Sequence, residues 1–224
     1  MKEIKNLLVA VSGGRSSAFM AYHIHNNEKY KDYQKIYVFA NTGMERPETI
    51  QFLNEIEKNW NIPLIKIEGV YNDSISYKIV DYDNLDMKAE TFSNAIKYRS
   101  KGEYFGLPNM GAPYCSETLK VVPSKKIAND IFGKNNFLTA IGYRFEDMPK
   151  RISFAEIKSE KKKIFPLITD FEKPINLHDL EKFWATQNFK LKIPSSLGNC
   201  ELCWKKSDKK LVQAIRSEIG RAHV

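Results

Sequence analysis

The chain has 224 residues, 42% of them apolar with 13 Phe and 11 Tyr, and a formal net charge of +8. That length suits one domain, or one domain with an appendage, and the apolar content is enough for a real core. No stretch reaches the roughly 18 uninterrupted apolar residues of a membrane span, and Met1-Lys2-Glu3-Ile4-Lys5 lacks the apolar region of a signal peptide. A cytoplasmic location and an anionic partner, nucleotide or nucleic acid, are therefore expected.

The first element is a short apolar run, Leu7-Leu8-Val9-Ala10-Val11, of the kind found in strands buried on both faces. A polar, glycine-rich turn follows, Ser12-Gly13-Gly14-Arg15-Ser16-Ser17, and then a helix through Ala18, Phe19, Tyr22 and Ile24. Strand, glycine turn and helix form a seat for phosphate, because backbone N–H groups at the helix start point at the anion. Ser16 or Ser17 is expected to cap the helix, and Arg15 to add a charged donor.

Residues 35–40 predict a second strand, ending in the polar turn Asn41-Thr42-Gly43-Met44-Glu45. A helix starts near Pro47 and carries Ile50, Leu53, Ile56 and Trp60 at helical spacing. Thr42 with Glu45 three residues on fits a capping box. Residues 63–67 predict a third strand, so the order β-α-β-α-β points to an α/β fold: a doubly wound, mostly parallel sheet with helices on both faces. Ligands of such sheets sit beyond the carboxyl ends of the strands, where both polar turns lie.

Residues 71–108 read as an insertion of short helix and loop over the site, with the acidic residues Asp81, Asp83 and Asp86 assigned no chemistry. A short helix over 116–120 and another from Pro123 follow, then a strand over 137–142 ending in Gly142. Residues 164–168 are expected at the sheet edge, and 176–187 as a helix. Lys161-Lys162-Lys163 reads as a solvated face. The segment Asn199-Cys200-Glu201-Leu202-Cys203-Trp204-Lys205-Lys206 precedes a basic helix over 208–216.

Three cysteines, two of them spaced C-x-x-C, point to metal or redox chemistry in a cytosolic chain. Lys205, Lys206 and the helix start favour thiolates. Zinc would want a fourth ligand such as His178 or His223, neither at ligand spacing. A metal centre and a redox or structural dithiol both remain open at this point.

Several blocks carry a resemblance. Ser-Gly-Gly-x-x-Ser at 12–17 resembles the PP-loop of ATP pyrophosphatases and phosphoadenosine phosphosulfate (PAPS) reductases, with Ser16 where that loop usually has Asp. Phe39 to Thr49, F-A-N-T-G-x-E-x-P-E-T, is similar to a second block of PAPS-reductase-like proteins, and Gly142 to Arg151 to their G-x-R-x-x-E-x-x-R loop. The run from Gly198 to Leu211 is similar to short phage-type members.

The resemblance implies an adenine-nucleotide alpha-hydrolase-like fold. It implies nucleotide contacts from Ser12, Gly13, Gly14, Arg15, Ser16, Ser17, Asn41, Thr42, Gly43, Glu45 and Gly142. Charge neutralisation at the reacting end would fall to Lys120, Arg144 and Arg151. It further implies a [4Fe–4S] cluster on Cys115, Cys200 and Cys203, with Tyr114 where a fourth cysteine would stand. Glu117 stands where many relatives carry Arg, and sulfonucleotide reductases use a further cysteine that this sequence lacks.

The domain reading is 1–170 for the nucleotide-binding α/β domain, 171–217 for a C-terminal C-x-x-C extension packed on it, and 218–224 for a tail resembling translated adapter sequence. Three readings of function follow. The chain acts on an adenine nucleotide at its sulfate or phosphate end with a thiol or thioredoxin-like electron donor. Alternatively it is an ATP pyrophosphatase that uses Mg²⁺ and adenylates a nucleic-acid base before sulfur insertion. The third is a zinc- and nucleotide-binding protein without turnover.

Overall fold

The computed structural model describes residues 5–100, 106–194, 198, 200 and 203–221, without the side chains of 100 and 217–221. The signal-peptide reading of residues 1–4, parts of the 71–108 insertion and of the C-x-x-C run, and His223 lie outside the described residues.

Six strands form one sheet: β1 (Asn6–Ala10), β2 (Gln34–Asn41), β3 (Leu64–Tyr71), β4 (Ile75–Ile79), β5 (Leu138–Ala140) and β6 (Lys163–Ile164), in the order β4-β3-β2-β1-β5-β6. β1 runs parallel to β2, with Leu8 opposite Ile36, and parallel to β5, with Leu8 opposite Thr139; β5 runs parallel to β6. β4 is antiparallel to β3, with Gly69 opposite Tyr77. Leu7, Leu8 and Val9 are at most 1% exposed, as the central position of β1 requires. The helices are α1 (Arg15–Asn26), α2 (Pro47–Trp60), α3 (Glu90–Ser100), α4 (Val122–Phe132), α5 (Phe154–Ser159), α6 (Pro166–Thr169), α7 (Leu177–Ala185) and α8 (Asp208–Arg221). The mostly parallel α/β fold is as expected from the sequence.

Four local expectations need correction. Residues 71–108 are not only helix and loop, since β4 pairs along the outer edge of β3. β4 is short, and none of its residues is buried, so it carries little apolar signal. Of residues 164–168 only Ile164 is in a strand; Pro166 opens a helical turn. Ser16 and Ser17 lie inside α1, whose N-cap is Gly14. The helix after β2 starts at Pro47, with the Arg46 carbonyl accepting from Thr49 and Ile50 N–H, so Glu45 is not its third residue and Thr42 does not cap it.

The chain divides into two compact units. One comprises residues 1–39, 51–65 and 124–191. In it Phe19 stacks on Phe183 at 4.2 Å, and Tyr22, Trp60, Trp184 and Phe52 extend the aromatic cluster. Asp170, its side chain 2% exposed, ties α1 to the turn after it by accepting from His23 Nε2 at 3.0 Å, Tyr30 Oη at 2.5 Å and Lys29 Nζ. The other unit comprises residues 40–50, 66–123 and 192–224. Its buried polar centre is Glu68, whose Oε1 accepts from Asn41 Nδ2 at 2.7 Å and from the Asp86 N–H at 2.6 Å.

Candidate functional site

In the first unit, the turn after β1 leads into α1 through Gly13, at φ +72°, and the N-cap Gly14. No side chain caps α1, and its first turn holds no acidic residue. The start of a 12-residue helix therefore presents N–H groups and the positive end of its dipole without internal compensation. Ser17 braces the turn from within: its Oγ accepts from the Ser12 N–H at 3.0 Å, bonds the Ser12 hydroxyl, and donates to the Gly14 carbonyl. Arg15 Nη2 donates to the Leu191 carbonyl at 3.0 Å, leaving its buried Nε without a partner.

Gly142, just past β5, abuts this turn from behind. A Cβ there would stand 3.1 Å from Ser17 Cα and 3.3 Å from the Ser16 carbonyl oxygen, so any other residue would push the two backbones apart by a few tenths of an ångström. The following loop carries both candidate arginines, and both are paired within it. Arg144 Nε lies 3.7 Å from Glu146, and Arg151 Nε lies 3.2 Å from Asp147 while its guanidinium sits over the Tyr143 ring. Such half-exposed pairs are worth about 1 kcal/mol at most, so an anion can compete for either arginine.

In the second unit, Asn41, Thr42, Gly43 and Glu45 form the turn after β2, and all four are buried. Glu45 has no exposed side-chain surface. Its Oε2 accepts from the Thr42 N–H and hydroxyl, each at 2.8 Å, and its Oε1 accepts from Lys120 Nζ at 3.0 Å. The Glu45 backbone also forms an antiparallel bridge with Cys200. Lys120 rises from a π-helical turn, Glu117–Val121, a rare element found disproportionately at functional sites. Burial works against its charge, but Glu45 and then the Cys200 and Cys115 sulfurs hold its pKa above the ordinary lysine value.

The three thiols are free and half-buried. Interaction with Cys203, then burial and the Glu45 charge, pushes the Cys200 thiol up. Interaction with Cys200, aided by the Lys205 N–H and the Lys206 and Lys205 charges, pulls Cys203 down against burial. The donor chemistry is that of a soft metal or cluster. Yet among the described residues no three Cys, His, Asp or Glu side chains gather closely enough to hold a metal ion, so no step is routed through one. His178 is exposed on α7. Tyr114, at the position where the resemblance would place a fourth cysteine, is packed: its hydroxyl donates to the Gly106 carbonyl at 2.8 Å, and Arg99 sits over its ring.

Residues 6–175 match the phosphoadenosine phosphosulfate reductase domain. The chain belongs to that family. It is also 33% identical, over 222 residues, to a protein of Escherichia phage lambda named "Uncharacterized nin region protein ORF290", an alignment covering 97% of this chain and 72% of that protein. The PAPS reductase domain thus takes in β1, the glycine turn, the Asn41–Glu45 turn, Cys115, Lys120 and the arginine loop, while Cys200, Cys203 and α8 lie beyond it. No helix among the described residues is long and apolar enough to cross a membrane.

Sequence reasoning missed Glu68 and gave Asp86 no role. Burial works against the Asp86 charge, but the Thr91 and Lys88 N–H groups hold its carboxyl below the ordinary value. The available signal was Glu68 itself, a carboxylate within the strand Leu64–Tyr71. A cleft of about 1110 Å³ in this unit is lined by Glu68, Tyr71, Lys78, Asp86, Lys97 and Arg99, among others.

Proposed function

We propose that this PAPS reductase family member is an enzyme that binds an adenine nucleotide through Ser12–Ser17 and the Asn41–Glu45 turn and acts at its sulfate or phosphate end. The single observation carrying this reading is the uncapped start of α1, with no acidic residue in its first turn, directly behind Gly13 and Gly14. That is an anion seat lacking its anion's partner charges. Ser16 leaves no carboxylate in the turn to repel the nucleotide. Lys120, Arg144 and Arg151 are the cations proposed to neutralise the charge that develops when a sulfate or phosphate bond breaks.

The reaction that fits is thiol-dependent reduction of a sulfonucleotide. Breaking the sulfur–oxygen bond to the nucleotide while sulfur passes from sulfate to sulfite takes up two electrons. Two thiols supply them and become a disulfide, from a small dithiol or a thioredoxin-like protein. The accompanying proposal is that Cys115, Cys200 and Cys203 draw together from their present places to hold a [4Fe–4S] cluster or zinc; iron assay and broad visible absorbance of anaerobically purified protein separate the two. Adenylyl sulfate or its 3′-phosphorylated form, given with dithiol, should yield equal amounts of sulfite and nucleotide. No sulfite from either compound with any thiol donor would reject the reading.

A second reading, adenylation of a nucleic-acid base with release of pyrophosphate from Mg·ATP, is favoured by one feature. Lys205 lies over the Trp204 ring at 5.3 Å, and exposed Lys209 and Lys210 follow on α8, a pairing of cation and aromatic ring suited to nucleic acid. Pyrophosphate release stimulated by RNA or DNA tests it.

A further inference from the structure

Glu45 stands out because its carboxylate does two tasks at once. One oxygen is saturated by Thr42 in the turn after β2, and the other meets Lys120, 75 residues away in sequence. Its own backbone bridges Cys200, and the π-helical turn bearing Lys120 begins just after Cys115. All three donors on the carboxylate are N–H or O–H groups, so only an acceptor-only side chain satisfies them together. Without it, a lysine ammonium on a four-carbon stem that is already 32% exposed gains more from water than from an uncharged wall.

We propose that Glu45 is a positioning residue whose buried carboxylate holds the Lys120 ammonium against the turn after β2, where the Cys200 backbone bridges that turn, so that the nucleotide turn and the C-x-x-C segment share one fixed cation. This rests on the reading that the thiols and Lys120 form the reacting centre, but not on which reaction occurs there. Glu45→Gln keeps the size and breaks the arrangement, since its amide must turn an NH₂ group toward either Thr42 or Lys120.

The test is acetylation of lysines by an N-hydroxysuccinimide ester, followed residue by residue by mass spectrometry. Paired with Glu45 and only 32% exposed, Lys120 gives up its proton less readily and meets the ester less often, so in the native protein it should react about tenfold more slowly than exposed Lys125. In Glu45→Gln it should come within about threefold of Lys125. Thr42→Val, which removes one bond to the far oxygen and the acceptor of the Met44 N–H but leaves the Lys120 bond itself, should leave Lys120 protected.

A second readout responds to charge and not to folding. In Glu45→Gln, loss of the Glu45 charge with Lys120 still in place would raise the ratio of iodoacetate to iodoacetamide reactivity at Cys200 about fivefold, the Coulomb effect of one unit charge at about 4 Å in water, whereas loss of Glu45 together with release of Lys120 should leave the ratio within about twofold of native. Equal labelling of Lys120 and Lys125 in the native protein would overturn the proposal. So would unchanged Lys120 labelling in Glu45→Gln, or exposure of Lys120 by Thr42→Val alone. If Glu45→Gln does not fold, the native protein and Thr42→Val decide. Calorimetry with adenine nucleotide, run alongside, separates failure of the functional reading from failure of this one.

Discussion

Replacing Asp170 with Asn should cost the first unit a measurable part of its stability, in a manner that depends on pH. Burial alone would raise this carboxyl, but bonds from His23, Lys29 and Tyr30 and the Lys29 charge outweigh it and bring it from 3.8 down to about 2. Such a lowering corresponds to about 2 kcal/mol in favour of the folded, charged form. Because the folded value lies below the unfolded one, that stability is fully present above 3.8 and is lost as pH falls toward 2. Asp170→Asn forfeits it at every pH and turns an NH₂ group toward donors, for a total of about 2–4 kcal/mol. At this chain length each kcal/mol moves the melting midpoint by about 2–4 °C, so the variant should melt roughly 4–16 °C lower at neutral pH. Thermal unfolding followed by circular dichroism, from neutral pH down through 3.8, should show the gap between native and variant closing as the native carboxylate protonates. Equal midpoints at neutral pH, or a gap that stays constant on acidification, would refute the reasoning.

Two further outcomes concern the candidate site. Gly142→Ala pushes a Cβ against the Ser16–Ser17 backbone, an overpacking cost of about 1–3 kcal/mol. It should lower the melting midpoint and weaken adenine-nucleotide binding by about tenfold in calorimetry; unchanged affinity would remove Gly142 from the turn's support. Gly43→Ala meets a left-handed φ of +78° and places Cβ 2.3 Å from Asp86 Oδ2, which must leave the Thr91 and Lys88 N–H groups. The expected loss is about 2–3 kcal/mol in urea denaturation, and a midpoint equal to native would contradict it.

The opening β1, glycine turn and α1 were legible because their causes are local: an apolar run for a strand covered on both faces, glycines for the turn, and helical spacing after it. The family resemblance extended that reading as far as the arginine loop. The capping reading of Ser16 and Ser17 failed because the hydroxyl of Ser17 turns back on Ser12 and Gly14 instead of outward. The Thr42–Glu45 contact exists, but Lys120 and the Cys200 bridge recruit the same glutamate, so the pair serves the interior and not a helix end.

What the sequence determined by itself was the alternation of strand and helix through the third strand and the glycine turn that leads into the first helix, since neighbouring residues suffice to specify both. Only the tertiary structure decided which carboxylate meets which cation. Glu45 with Lys120, Asp170 with His23 and Lys29, and Glu68 with Asn41 and Lys78 are all separated in sequence, and charge at short range acts through distance in space and burial, neither of which a linear chain records.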